Sequence, residues 1–302
     1  MSFLILIIGF ALLIKGADVF VEGASSIAKK FNVPSMIIGL TIVAMGTSAP
    51  EAAVSVTSSL AGQNDMSVAN VVGSNFFNVL VVLGVSSIIA KLPVQEETIK
   101  KDTPFLILVS ILLLVFGINL KLGRIEGLAL LGLFTYFLVN TIKSAKKATE
   151  DDSLETGETA IAIETQTSSE ISLPKTILVS LIGIAGIVLG GDMVVNSATS
   201  IATSLGMSAN LVGLTIVAVG TSLPEFVTSI VAIKKGETEI AIGNVIGSNL
   251  FNILLVLGLA AVINPISMSM LAFIDIIFMV LITLLLYTVS YTHLTLPTNR
   301  EV

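Results

Sequence analysis

The sequence contains the same polar segment twice, 174 residues apart, inside long apolar runs. Residues 39–51 read GLTIVAMGTSAPE and residues 213–225 read GLTIVAVGTSLPE, with eleven of the thirteen positions identical. A second pair keeps the same offset: NVVGSNFFNVLVVLG starts at Asn70 and NVIGSNLFNILLVLG at Asn244. Polar clusters are costly within segments that cross a membrane, so those that occur there usually serve function. The repeat predicts a duplicated membrane unit with one polar site assembled from both copies.

The composition agrees with a membrane protein. The chain has 302 residues, 54% of them hydrophobic and 12% charged, and its mean hydropathy is +1.00. Several apolar runs reach the roughly 20 residues that a helix needs to cross a bilayer. The absence of cysteine excludes disulfides and thiolate chemistry. The basic residues are scattered at the ends of the runs, so we expect no nucleic acid as a partner. The apolar runs predict that the lipid bilayer is a partner. We also expect the protein to be a monomer.

Nine apolar runs are long enough to span the membrane. Five lie in the first copy, at residues 3–30, 34–60, 68–90, 104–120 and 124–143. Four lie in the second copy, at residues 174–205, 208–233, 241–263 and 268–288. The first run lacks a basic leader and a cleavage site, which favours a retained helix over a signal peptide.

The stretch between the copies differs in composition. Residues 144–172 contain seven acids and no apolar run, which predicts a solvated linker rather than a regulatory cation site. We therefore divide the chain into a first transmembrane repeat, an acidic cytoplasmic linker, an incomplete second transmembrane repeat and a tail, at residues 1–143, 144–173, 174–288 and 289–302.

The distribution of basic residues predicts the orientation, because lysine and arginine collect in cytoplasmic loops. With the amino terminus outside, the outer loops hold only Lys121 and Arg124, and eleven lysines fall in the inner loops. Five spans per copy is an odd number, so the second copy enters the membrane from the opposite side. The predicted fold is an all-α membrane protein with an inverted-topology 5+5 helix repeat, an architecture typical of secondary transporters.

The tail does not fit this repeat. The offset predicts a tenth span just after residue 290, but the sequence reads VSYTHLTLPTNREV from Val289 and has no helical apolar run. We expect the native sequence to end near Thr288, with the tenth helix missing. The alternative is a genuine short polar tail on a protein with nine spans.

Two prolines mark the polar segments. Proline has no N–H and clashes with the carbonyl four residues back, so Pro50 and Pro224 are expected to break their helices. The breaks free backbone carbonyls around residues 44–46 and 218–220. Thr47 and Ser48 precede Glu51 by four and three positions, which places their hydroxyls on the face of the carboxylate.

The second copy repeats this pattern, and the next span adds serine and asparagine four residues apart. The candidate side chains are Thr47, Ser48, Glu51, Ser74, Asn78, Thr221, Ser222, Glu225, Ser248 and Asn252. All of them offer oxygen, the donor that Ca²⁺ prefers and Na⁺ accepts. Two buried carboxylates balance one divalent ion or two monovalent ions. Glycines such as Gly39 are more simply explained as close-packing positions between helices.

At these residues the chain resembles the sodium/calcium exchangers of the calcium/cation antiporter superfamily. The paired GTS-x-PE and GSN-x-x-N segments are similar to the two α-repeats of that family, and the resemblance covers essentially the whole chain. It implies ten helices in two inverted halves, exchange of Na⁺ for Ca²⁺ by alternating access, and sliding of helices one and six. It also implies that the candidate side chains are metal ligands, together with the backbone carbonyls of Ala44 and Ala218. No cofactor is implied, since Ca²⁺ and Na⁺ are the transported ions.

One departure from the family concerns charge. Well-studied members carry an aspartate where this chain has Asn252, so the predicted site has two carboxylates instead of three. An asparagine keeps an oxygen but carries no charge. The usual exchange of three Na⁺ for one Ca²⁺ is therefore in doubt for this chain.

Other functions fit the sequence less well. The nearest alternative is a Ca²⁺ exchanger coupled to H⁺ instead of Na⁺. K⁺ is a further candidate coupling ion. An intramembrane protease built on Asp18 and Asp192 would leave both polar segments unexplained, and those aspartates better fit gating or packing. A serine protease fails because the single histidine, His293, lies in the tail. A channel is also an alternative; a measurement of saturable counter-transport would identify an exchanger instead.

Overall fold

The computed structural model describes residues 1–62, 64–156, 173–208, 216 and 218–295, and these are mostly helical. The α-helices in chain order are α1 (Ser2–Lys30), α2 (Ser35–Ile38), α3 (Ala44–Thr47), α4 (Ala49–Leu60), α5 (Asn64–Phe77), α6 (Leu83–Ile89), α7 (Thr103–Phe116), α8 (Arg124–Thr156), α9 (Leu173–Ser204), α10 (Ala218–Gly220), α11 (Leu223–Lys234), α12 (Thr238–Phe251), α13 (Gly258–Ile263) and α14 (Met270–Thr295). Short non-α turns continue several of them, with π-helical geometry at Gly39–Val43, Asn78–Val82, Thr98–Asp102 and Asn252–Leu257 and 3₁₀ geometry at Gly117–Asn119. The strands β1 (Lys121–Leu122) and β2 (Ile266–Ser267) form one antiparallel pair.

The helices confirm an all-α membrane protein. In the described part of the chain, seven helical segments are long and apolar enough to cross a bilayer, and α2–α3 with α4 make an eighth span if the broken pair counts as one. These eight coincide with eight of the nine predicted spans. The remaining predicted span, residues 208–233, includes residues 209–215 and 217, which lie outside the described residues. The inverted orientation of the two repeats stays a sequence prediction.

Two helices run past their predicted ends. The fifth span was expected to stop at Lys143, but α8 continues to Thr156. The ninth was expected to stop at Thr288, but α14 continues to Thr295. Neither extension contains a proline or glycine, so the helices continue beyond their apolar stretches. The rest of the predicted linker and tail, residues 157–172 and 296–302, lies outside the described residues.

One compact unit comprises residues 1–47 and 135–244. Its core is the contact of α1 with α9, which face each other through glycines. A Cβ atom on Gly16 would lie 2.7 Å from the backbone nitrogen of Ile187, and one on Gly190 would lie 2.5 Å from a backbone nitrogen of α1. These positions accept only glycine without a shift of the backbone, so the two helices pack more closely than larger residues allow.

The other compact unit comprises residues 48–134 and 245–302. Within it, α13 from the second repeat packs on α4 from the first repeat. The Ser59 hydroxyl donates a hydrogen bond to the Ala260 carbonyl at 2.8 Å, and Asn264 Nδ2 donates one to the Ser59 carbonyl at 3.2 Å. Each unit thus combines segments of both sequence repeats.

Candidate ion-binding site

The helices that carry Glu51 and Glu225 both begin at a break in the chain. Ser48 precedes α4 with φ −82° and ψ 6°, and Ser222 precedes α11 with φ −91° and ψ 4°. Each following proline is the second residue of its helix, where a missing N–H costs no intrahelical hydrogen bond. The prediction that the two prolines interrupt their helices is confirmed.

Just before the break that precedes α4, a hydroxyl lies close to buried backbone carbonyl oxygens. Thr47 Oγ1 lies 3.2 Å from the Val43 carbonyl oxygen and 3.3 Å from that of Ala44. It also lies 3.0 Å from Asn244 Oδ1, which belongs to the second repeat. The predicted ligands Thr47 and Ala44 are therefore neighbours, and Thr47 is linked to the second repeat within its own compact unit.

Both glutamates are fully buried. Glu51 and Glu225 have no solvent-exposed area and lie in the first turns of α4 and α11. The positive end of a helix dipole stabilises a carboxylate at that position by about 0.3–1 kcal/mol. The Ser74 hydroxyl donates a hydrogen bond to Glu51 Oε1 at 3.3 Å. The structure thus brings two predicted ligands of the first repeat together.

A matched pair of asparagines, not among the predicted ligands, holds the backbone of each glutamate. Asn70 Nδ2 donates to the Glu51 carbonyl at 3.3 Å and to Ser55 Oγ at 3.0 Å. Asn244 Nδ2 donates to the Glu225 carbonyl at 3.3 Å and to a serine hydroxyl one turn later at 3.1 Å. Two equivalent sets of hydrogen bonds therefore fix the two glutamate-bearing turns in the same way.

A second set of asparagines joins the two repeats inside the unit that contains Glu51. Asn78 Nδ2 donates to Asn249 Oδ1 at 3.0 Å, and Asn252 Nδ2 donates to Asn75 Oδ1 at 3.1 Å. The two bonds are related by the 174-residue offset. Asn78 and Asn252 also begin the two matched π-helical turns, a distortion that is frequent at functional sites.

These bonds leave two oxygen atoms open. Asn78 Oδ1 and Asn252 Oδ1 are buried and accept no hydrogen bond from the described residues. A buried acceptor without a donor costs about 1–3 kcal/mol, which a bound cation removes. Both predicted asparagine ligands thus present oxygen in the form that a hard cation requires.

Basic and acidic groups tie α1 to the turn that follows α11. Lys235 Nζ lies 2.9 Å from Asp18 Oδ1 and 3.5 Å from Glu22 Oε2. The hydrogen bond to Asp18 raises the pKa of Lys235, so this ammonium stays charged at neutral pH. Glu237, two residues later, accepts hydrogen bonds from the Ser25 hydroxyl and from Lys29. The ion pair of Asp18 favours the predicted packing or gating role over a protease dyad.

Comparison with known proteins identifies the family. A match to the family described as sodium/calcium exchanger protein covers residues 1–143 and 175–299. The chain belongs to the sodium/calcium exchanger family.

Individual proteins are also similar to most of this chain. The chain is 33% identical over 296 residues to the sodium/calcium exchanger MaX1 of Methanosarcina acetivorans, with 89% of this chain and 85% of that protein covered. It is 38% identical over 265 residues to the inner membrane protein YrbG of Escherichia coli (strain K12), with 86% and 79% covered. A structure of the sodium-calcium exchanger NCX_Mj matches with a TM-score of 0.82 at 31% identity, over 96% of this chain and 90% of that one. The predicted membership of the calcium/cation antiporter superfamily is confirmed.

The predicted ligands are distributed over the two compact units. The unit with α1 and α9 holds Ala44, Thr47, Ala218, Thr221, Ser222 and Glu225. The other holds Ser48, Glu51, Ser74, Asn78, Ser248 and Asn252. Every one of these residues is buried except Ala218, whose side chain lies outside the described part. That all of them ligate ions stays a prediction.

Sequence reasoning missed the residues that hold the candidate ligands. They are Asn70, Asn75, Asn244 and Asn249, together with Ser55 and Ser229, whose hydroxyls accept hydrogen bonds from Asn70 and Asn244. A signal was present, because all six obey the 174-residue offset with identical residues. Identity at the offset did not distinguish a group that faces an ion from one that positions its neighbour.

Proposed function

We propose that this protein is a secondary antiporter that exchanges Na⁺ for Ca²⁺ across the cell membrane by alternating access, and that it is not an enzyme. The proposed ligands are the two glutamates, the hydroxyls beside them, the open amide oxygens of Asn78 and Asn252, and the carbonyls of Ala44 and Ala218. We further propose that the amino terminus faces outside and that the chain acts as a monomer.

The observation that carries the proposal is the set of buried oxygens in the compact unit that contains Glu51. Its carboxylate accepts a hydrogen bond from Ser74, and the same compact unit holds the open oxygens of Asn78 and Asn252. Ca²⁺ binds six to eight oxygens from carboxylates, carbonyls and neutral side chains. A carboxylate and neutral oxygens buried in one unit suit such an ion, and the proposed ligands include none of the imidazole and thiolate groups that softer metals prefer.

Membership of the exchanger family supports the coupling of Ca²⁺ to Na⁺. The Methanosarcina relative and the protein of the matched structure are both named as exchangers of sodium and calcium. The physical basis is a balance of charge. Two buried carboxylates without a cation are costly, and one Ca²⁺ or two Na⁺ neutralise them equally, so an occupied site is favoured over an empty one and either load can replace the other.

Flux into reconstituted vesicles tests this proposal. Uptake of ⁴⁵Ca²⁺ is measured under an imposed Na⁺, K⁺ or H⁺ gradient, for the wild type and for E51Q and E225Q. We expect uptake driven by Na⁺, and a loss of about a hundredfold or more in each variant, since removing a charge from a buried ion site costs roughly 3–5 kcal/mol. E96Q is the matched control, because Glu96 is an exposed partner of Lys100. Uptake driven by H⁺ without Na⁺ would replace the proposal with proton-coupled exchange.

A further inference from the structure

We propose that Asn75 and Asn249 are positioning residues that aim the amide oxygens of Asn252 and Asn78 at the transported cation. The inference rests on the proposed ion site and adds a function for two residues that are not among the proposed ligands. The four side chains are at least 98% buried and form the two crossed hydrogen bonds described above.

The argument starts from the asymmetry of the amide group. An asparagine side chain carries an acceptor oxygen on one side and an N–H donor group on the other. Whichever side hydrogen-bonds to a neighbour, the opposite side faces away from it. Asn252 Nδ2 donates to Asn75 Oδ1, so Asn252 Oδ1 is the atom left open. A reversed amide would present N–H groups, which repel a cation.

The orientation of Asn75 is fixed in turn by a group that cannot reverse. Asn75 Nδ2 lies 3.4 Å from the backbone carbonyl oxygen of Asn249 and 3.5 Å from Met279 Sδ. A backbone carbonyl only accepts hydrogen bonds. The carbonyl therefore holds the Asn75 amide with nitrogen towards it and oxygen towards Asn252. The backbone carbonyl of Asn249 thus fixes the orientation of the Asn75 amide, and Asn75 in turn fixes the orientation of the Asn252 amide.

The related bond completes the pattern for the other repeat. Asn249 Oδ1 accepts from Asn78 Nδ2, which leaves Asn78 Oδ1 open in the same way. Each repeat thus supplies one neutral oxygen and the residue that orients the oxygen of the other repeat. This orientation matters most at Asn252, where asparagine presents an oxygen to the cation in only one orientation. An aspartate at this position would present an oxygen in either orientation.

That difference between aspartate and asparagine gives a test that distinguishes a positioning role of Asn75 from a packing role. N75L removes the acceptor, so Asn252 can turn its nitrogen inwards. We expect the KM of ⁴⁵Ca²⁺ uptake to rise about tenfold, as for other groups that orient metal ligands. In the N252D background the same N75L change should leave KM within about twofold, since a carboxylate has no wrong orientation. A double-mutant cycle measures this difference directly.

Three further measurements make the result decisive. N264L removes a hydrogen bond of the same kind, from Asn264 to the Ser59 carbonyl, and should lower the unfolding temperature without changing KM. The cycle of N249L with N78D repeats the test if N75L does not fold. The Ca²⁺-induced rise in unfolding temperature gives the same cycle without transport, so a failure of Na⁺-driven exchange in the wild type remains a separate result. Equal KM changes in both backgrounds, or none in either, would overturn the inference.

Discussion

At Asn252, one atom decides the charge of the proposed site. The two proposed carboxylate ligands carry two negative charges, which balance one Ca²⁺ or two Na⁺ but not three Na⁺. An uncompensated charge in a membrane interior is costly. We therefore expect the wild type to exchange two Na⁺ for one Ca²⁺ and to move no net charge.

N252D tests this by restoring a third acid. Wild-type ⁴⁵Ca²⁺ exchange should be independent of a membrane potential set with K⁺ and valinomycin, whereas exchange by N252D should depend on it. One extra charge per cycle shifts the Ca²⁺ ratio at equilibrium about tenfold per 60 mV, from the ~2.3 kcal/mol per 100 mV that a unit charge experiences. Voltage-dependent exchange by the wild type would show that a further group balances the third Na⁺.

The same residues show what the sequence could predict of the site and what it could not. Identity at the offset selected Asn78 and Asn252, and proline chemistry predicted the breaks before Glu51 and Glu225. The crossed bonds to Asn75 and its counterpart were not predictable, because repeat identity gives no information on which side chains meet across two helices. That information comes only from the packing of α5 against the turn after α12.

At the level of the helices, the ends were harder to predict than the helices themselves. Hydropathy located α8 correctly at its start, but the helix continues for several turns beyond its apolar stretch. Residues after Lys143 include alanine, lysine and glutamate, which favour helix in water as well as in lipid. The π-helical turns at Asn78 and Asn252 were also unpredicted, because no residue type requires them.

The glycine contact between α1 and α9 leads to a prediction about stability. In G190A the new methyl group would meet the backbone of α1 at 2.5 Å, so the helices must separate. We expect a loss of about 1–3 kcal/mol, typical of overpacking, and slower exchange, since the family resemblance implies that these helices slide.

G132A is the matched control, because Gly132 is also helical and has no atom within 4 Å of its added Cβ. It should be neutral or up to about 1 kcal/mol more stable, since alanine favours helix. Thermal unfolding in detergent, followed by circular dichroism because the chain has no tryptophan, measures both variants. Equal stability of G190A and G132A would mean that the close contact does not limit packing.

At the scale of the whole molecule, the duplication does not produce two separate domains. Each compact unit draws on both repeats, as the pairing of Thr47 with Asn244 in one and of Asn78 with Asn249 in the other illustrates. Hydrogen bonds between the repeats therefore hold polar side chains of both copies in place, so the buried polar network depends on both repeats.

The orientation of this assembly in the membrane is open to a direct test, because the chain has no native cysteine. Lys121 and Lys234 are both exposed lysines, which makes K121C and K234C a matched pair. The excess of basic residues on one side predicts that Lys121 faces outside and Lys234 faces the cytoplasm. In intact cells a membrane-impermeant maleimide should label K121C and leave K234C unlabelled, and permeabilisation should make K234C reactive, since labelling requires an accessible thiol. The reverse pattern would place the amino terminus inside, and labelling of both in intact cells would mean that the two turns lie on the same side. The inverted repeat requires an odd number of spans between Lys121 and Lys234, which places them on opposite sides of the membrane. This pair of variants tests that requirement independently of ion transport.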